Sequence, residues 1–540
     1  MRVQDIQMPP STIIRVRNSP PRKADPRSLS GLDLLASAVL TLVLVPVFLY
    51  FGIALAIAGP LSLLIGLISQ QGFRLLLNST GNDLFFPTTM VAAYFSVDFA
   101  ARSLYLATVP FFTRVGRNPY DDYLPAALWC ACVGYLSFSA GMGSRLAGKW
   151  LRRLPPLSES WPRSVPALRL LAMMAVGLAS LFYLFKIGMA VGNYGNLEFQ
   201  RHPPPGMVVL LENLLDLSWV AICIFLVAPR RKSELGLAWL LLGISLGTLC
   251  TKLAVTGGKV ALIQPLIAAA IVFHYGKRRF RIWEMIVFGV PVLMMAFGIV
   301  NFYRFVVVGQ RGSPKSLSDV ISRVSSASDL LSSKHQAATE HTALEQMVER
   351  NAGADALALI MKYTPHPFPY VYGWHWLEIP LTFVPRVIWK DKPINMPSAE
   401  FESTYMGEPP TFNGFSSMHL ISDLYRNFSY PGVLCGMFAF GAVSRYVYLF
   451  CSPSRENRTG VFLYAALFPE IIHSLEADLG YAVINVTRAA ALAVLVAFFI
   501  GGGYCRIRRT KLASRPLSHV LKPFSSPSMA SLSGPSVSGQ

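Results

Sequence analysis

The stretch Val384-Pro385-Arg386-Val387-Ile388-Trp389-Lys390-Asp391-Lys392-Pro393 sets three cations and an indole between prolines. A guanidinium is a planar, permanently charged fork for oxyanions, and ammonium groups add point charge. An indole beside them supplies flat apolar area. Together these side chains suit a partner that is both anionic and amphipathic. They stand in a chain otherwise built of apolar runs, which points to a membrane-embedded site for a charged, lipid-linked molecule.

The elements that must position this segment follow from composition. Of 540 residues, 53% are hydrophobic and only 14% charged, against about a quarter charged in soluble domains. Apolar runs near the ~20 residues of a bilayer crossing recur along the chain, so the fold class is an all-α polytopic membrane protein. The stretch 34–67 exceeds one crossing and reads as a hairpin of two spans broken near Gly52 or Pro60. Further spans follow at 87–109, 123–144, 166–188, 207–228, 236–254, 259–276, 283–303, 430–450, 459–477 and 484–504, about twelve in all.

The formal charge of +19 would suggest nucleic acid in a soluble protein. Here the cations cluster at span ends: Arg145 to Arg163, Arg230 to Lys232, Lys277 to Arg281, Arg455 with Arg458, and Arg506 to Lys511. With twelve spans every cluster falls on the side of the basic N-terminus, as the positive-inside rule requires. This reading excludes nucleic acid as partner and puts both termini in the cytoplasm. It divides the chain into a basic segment 1–32, a first bundle 33–303 of about nine spans, a large external loop 304–430, a second bundle 431–505 of about three, and a disordered tail 506–540. Within the loop, Val320, Ile321, Val324 and Leu331, then Leu344, Met347, Leu357 and Ile360, predict two amphipathic helices over the membrane face.

Other chemistries find no support. The seven cysteines imply neither a disulfide framework nor a thiolate metal site, and Cys130-x-Cys132 reads as helix packing. Walker and zinc-protease motifs are missing, as is an Asp-x-Asp pair. Inside the spans, Asp98 and Arg102 sit four apart and are expected to pair. Glu212 and Asp216, also four apart, would repel if both were ionised.

The motif VPRVIWKDKP is preceded by PHPFPYVYGWHWLEIPLTF and followed by SSMHLISDLYRNFSYPGVLCGMFAFG. This order resembles the bacterial O-antigen or oligosaccharide repeat-unit polymerases of the Wzy type. There a Pro-Arg-x-x-Trp-x-x-Lys-Pro block precedes an acidic-Leu-Tyr-x-Asn-Phe-x-x-x-Gly block at the start of the next span. Here the second block is Asp423-Leu424-Tyr425-Arg426-Asn427-Phe428-Ser429-Tyr430-Pro431-Gly432, with Asp for Glu, and the match covers 365–440. The resemblance implies a GT-C-like glycosyltransferase in the bacterial inner membrane, with the large loop periplasmic. It would join repeat units carried on undecaprenyl diphosphate into O-antigen or exopolysaccharide, with no cofactor and no metal. Membrane lipid would be a partner, and the family leaves room for a chain-length regulator protein.

That reaction breaks a bond from a sugar anomeric carbon to a diphosphate, so it needs fixed cations just outside the membrane. Candidates are Arg386 and Arg304 as catalytic cations, with Arg201, Arg311, Arg426, Lys390 and Lys392 binding substrate. Each also has a plain alternative as a span anchor or loop tie. The acceptor hydroxyl must lose a proton, for which Asp423, Glu400, Glu378, His366, His375 and His419 are candidates. Asp423 holds the family position, but pairing with Arg426 three residues on would explain it equally well. Tyr370, Tyr372, Trp374, Trp376 and Trp389 offer faces for sugars or for the membrane interface. His473, Glu476 and Asp478 lie at one end of the eleventh span, where they suit a cleft or interhelical hydrogen bonds. Two rival readings stay open: an O-antigen ligase-like enzyme using the same donor, and a secondary transporter or flippase for lipid-linked glycans.

Overall fold

In the computed structural model, residues 31–77, 83–108, 121–151, 167–186, 214–227, 259–289, 353–384, 388–389, 400–407 and 418–501 are described, with isolated helical positions between 211 and 326. Among these residues the protein is all helix, without a strand. Five helices among the described residues are long and apolar enough to cross a membrane: Gly31–Tyr50, Leu55–Leu76, Leu124–Lys149, Leu420–Cys451 and Leu479–Ile500. Leu168–Tyr183 and Ile263–Gly276 are shorter apolar helices within two further expected spans.

The first hairpin forms as the sequence predicts. Helix α1 (Gly31–Tyr50) and α2 (Leu55–Leu77) are separated at Gly52, whose φ of +79° suits a residue without a Cβ. Pro60 instead lies inside α2, as its sixth residue, and does not end the helix. Ser37 Oγ donates to the Gly66 carbonyl at 3.1 Å, and Arg74 pairs with Asp33 at the far end.

Helix α3 (Pro87–Phe95) runs through a π-helical turn, Ser96–Ala101, into α4 (Arg102–Thr108). This turn corrects one expectation. A π turn holds more residues per revolution than an α turn, so positions four apart no longer share a face. Arg102 pairs with Asp355 at 2.6 Å, and Asp98 faces His419 at 3.4 Å. Asp355 belongs to α10 (Gly353–Tyr363), the second expected amphipathic helix. Gly353 to Met361 are all buried, so α10 packs inside the bundle instead of over its face. Its apolar residues meet helices on several sides, and Asp355 supplies the polar group that Arg102 requires.

Helices α5 (Leu124–Gly143), α6 (Leu146–Leu151), α7 (Ala167–Lys186), α8 (Leu217–Val227) and α9 (Lys259–Gly276) follow in chain order before α10. Cys130 and Cys132 are buried on α5, where Cys132 donates to the Pro60 carbonyl. Next comes α11 (Leu420–Cys451), which begins ahead of the span expected at 430 and packs closely on α5. Their crossing is fixed by Gly141 and Gly441. A Cβ on either would overlap the backbone carbonyl of Phe438 or Phe138 on the other helix. Helices α12 (Arg458–His473) and α13 (Leu479–Gly501) complete the described chain.

Two apolar cores result. One gathers α2, α3, α5, α10 and the first half of α11; the other gathers α7, α8, α9, α12 and the second half of α13. The turn Asp83-Leu84-Phe85-Phe86 ties them, because Leu84 and Phe85 sit in the second core while α3 runs on into the first. Asp83 accepts from Tyr275 of α9 and, at 2.6 Å, from Tyr448 of α11. Tyr464 of α12 donates to the Phe85 carbonyl at 2.7 Å.

Candidate functional site

The site is built by a break in α11. Pro431 has no N–H and its ring crowds the carbonyl four residues back, so the helix cannot run straight. Phe428 and Ser429 leave helical geometry, and Gly432 lets the two halves close up against Leu424. The break turns the carbonyls of Arg426 and Asn427 outward. They accept from Val371 N and Tyr372 N, each at 3.2 Å, and Asn427 Oδ1 accepts from Gly373 N at 2.8 Å. Gly373, at φ +76°, then opens the 3-10 turn Trp374–Glu378. The kink therefore docks the aromatic segment onto the motif helix.

Asp423 fastens the assembly from below. Its Oδ1 accepts from Asn427 Nδ2 at 2.9 Å; its Oδ2 accepts from Trp376 Nε1 at 3.2 Å and from Leu479 N at 3.0 Å. One buried carboxylate thus joins α11, the 3-10 turn and the start of α13. With both oxygens engaged and the side chain buried, Asp423 is suited to positioning and poorly placed to take a proton from a bound hydroxyl. Asp478 lies next to it, and burial first, then the charge of Asp423, pushes its carboxyl up to about 6.

Arg426 does not pair with Asp423. Its buried guanidinium binds Glu400, which also meets His375 Nε2 at 3.2 Å. The ring of Tyr405 lies 5.8 Å from the guanidinium carbon. Burial works to raise the Glu400 carboxyl, but the His375 hydrogen bond and the Arg426 charge outweigh it and hold it below its ordinary value. The hydrogen bond to Glu400 raises His375 above its usual 6.5, against a smaller opposing effect of burial. An ion pair of Glu400 and His375, partly open to solvent, sits on a buried arginine. Just before His375 in the chain, Tyr372 and Trp374 are 69% and 68% exposed. Tyr370 is half-buried between Tyr372 and Tyr425.

Of the sequence candidates, the structure therefore brings together Asp423, Arg426, His375, Glu400, Tyr370 and Trp374. Trp389 is partly exposed on the segment after the turn. His419 sits deeper: its Nδ1 is 2.6 Å from the Tyr94 hydroxyl, and it is buried against Asp98. Arg386, Lys390, Lys392, Arg304, Arg311 and Arg201 lie outside the described residues. Asn427 and Trp376 as partners of Asp423 escaped the sequence reading, because Trp376 reaches it from 47 residues away.

Residues 183–453 match the family described as "Domain of unknown function (DUF8712)", half of the chain, and the chain belongs to that family. No curated protein and no solved structure matches it.

Proposed function

We propose that this member of the DUF8712 family is a glycosyltransferase that polymerises oligosaccharide repeat units carried on undecaprenyl diphosphate. The proposal includes a GT-C-like bundle of about twelve spans in the bacterial inner membrane, with both termini cytoplasmic and the His375–Glu400 rim on the periplasmic side. One observation carries it. Within the segment that resembles repeat-unit polymerases, a half-open Glu400–His375 ion pair is backed by buried Arg426, and the chain leading to His375 exposes Tyr372 and Trp374.

In the reaction, an acceptor hydroxyl attacks the anomeric carbon of the donor sugar, and the bond to the diphosphate oxygen breaks. The hydroxyl proton passes to the Glu400 carboxylate, which its two cationic neighbours keep ionised at neutral pH. The electron pair leaves with the diphosphate, where protonated His375 and Arg386 meet the developing charge. Tyr372 and Trp374 present faces for the sugar rings. Asp423 and Asn427 keep the 3-10 turn in place and touch neither substrate.

Lipopolysaccharide or exopolysaccharide from a strain lacking the chain tests the reading. Loss of a polymerase leaves single-repeat products; bare lipid A core would identify a ligase instead, and unchanged ladders would refute both.

A further inference from the structure

Helix α13 carries one arginine, Arg488, in an otherwise apolar membrane-spanning sequence. It lies nine residues beyond Leu479, about 13 Å along the axis at 1.5 Å per residue. That depth is near the middle of a hydrocarbon layer about 30 Å thick. A guanidinium stays charged in any protein setting, so at such a depth it calls for an anion or a water-filled cavity. Arg488 is exposed, and among the described residues no hydrogen bond or ion pair reaches it. The neighbouring carboxylate on α12, Glu470, is already held by Gln264 of α9 and lies 3.9 Å from His473.

The surroundings have a direction. Tyr481, Arg488, Leu495 and Phe499 recur at helical spacing along one exposed face of α13. Polar groups cluster toward the start of the helix: Asn485 lies one turn beyond Tyr481, whose ring packs edge-on against His473. Side chains on a helix lean toward its N-terminus, so the guanidinium is drawn toward these groups. That end of α13 is tied to Asp423 through Leu479 N. Apolar Leu495 and Phe499 continue the face in the other direction.

We infer that this face of α13 holds the lipid diphosphate of the donor, with Arg488 binding phosphate oxygens and the polyprenyl chain lying along Leu495 and Phe499. The inference rests on the proposed polymerase reading and extends it from the sugar end of the donor to its lipid end. Arg488 supplies counter-charge to the phosphate nearer the polyprenyl chain, on the side of Tyr481 and His473, while the sugar-bearing phosphate stays at the rim.

The test uses full-length protein in nanodiscs, with undecaprenyl diphosphate lacking sugar as the probe and phosphatidylglycerol as the competing lipid. Binding is read by native mass spectrometry. Wild type retains the probe in the presence of phosphatidylglycerol; Arg488→Gln weakens retention at least tenfold, and Arg488→Lys falls between. Equal retention by wild type and Arg488→Gln overturns the inference, as does displacement of the probe by phosphatidylglycerol, which marks an ordinary lipid site. Because Arg488 is exposed, its loss leaves the fold intact, and size-exclusion profiles check this. The two proposals fail separately. Arg488-dependent binding by a protein that forms no polymer removes the polymerase reading but keeps the site. Polymer formation with an unchanged donor KM in Arg488→Gln removes the site but keeps the reading.

Discussion

The two ends of α11 bury carboxylates in opposite ways. Around the kink, Glu400 is met by full charges, Arg426 and His375, and stays open on one side. Near Tyr448, 22 residues beyond Arg426 or roughly 33 Å along the helix, Asp83 is met by the hydroxyls of Tyr275 and Tyr448. His274 closes that cluster. Its Nδ1 accepts from Phe280 N at 2.9 Å, so the remaining ring N–H faces Asp83 at 3.9 Å. Neutral donors satisfy a carboxylate without a second buried charge, which suits a joint between two cores. Paired charges at a solvent edge keep their protons exchangeable, which suits chemistry. Burial raises the Asp83 carboxyl, partly offset by the two tyrosines, so its charge is costly and no substrate is needed to explain it.

The contrast can be broken from either end. Arg426→Ala has the largest expected effect. It strips the buried cation from under Glu400 and should cost about 3–5 kcal/mol in thermal unfolding, with loss of activity. Asp83→Ala leaves two buried tyrosine hydroxyls without an acceptor, for about 2–4 kcal/mol. At permissive temperature, however, its turnover should match wild type; lost turnover in a folded sample would contradict the assignment of this end to structure.

The ion pair predicts a pH window. Glu400 is depressed, so its contribution is present above its unfolded value of 4.5 and disappears as pH falls through the lower folded value. His375 is raised, so its contribution is complete below 6.5 and is lost as pH climbs through the higher folded value. Activity should therefore plateau between those limits. His375→Gln should abolish the alkaline limb and leave the acid limb, which Glu400 sets, as read from rate profiles. The smallest effect belongs to Trp374→Ala. Being exposed, Trp374 should change stability by less than about 0.5 kcal/mol while raising the oligosaccharide KM several-fold through the lost stacking face.

Much of this was legible beforehand, where the signal is local. Gly52 was one of two positions expected to break the first hairpin, apolar run lengths located five helices long enough to cross a membrane among the described residues, and Cys130 and Cys132 declared themselves as packing residues. Pro431 lies in the block whose kink builds the site, although a span start was expected there and not a break inside a longer helix. What escaped depends on distance or on register. Arg102 finds Asp355 across 253 residues, which no spacing rule reveals. The π turn at Ser96–Ala101 moves Asp98 off the face of Arg102, and a sequence read with α periodicity pairs them wrongly. Helix α10 has the amphipathic pattern of a surface helix, yet α5 and α11 cover it. Glu400 and His375 were two of six candidates for a base, with Asp423 ahead of them on the family position; only the fold brings them to one arginine.

Purified protein in nanodiscs, given one defined oligosaccharide on undecaprenyl diphosphate, should build a ladder of lengthening products. The ladder should collapse to the starting unit in Glu400→Gln and Arg386→Ala. No product longer than the starting unit from wild type, or a full ladder from both variants, would contradict the account.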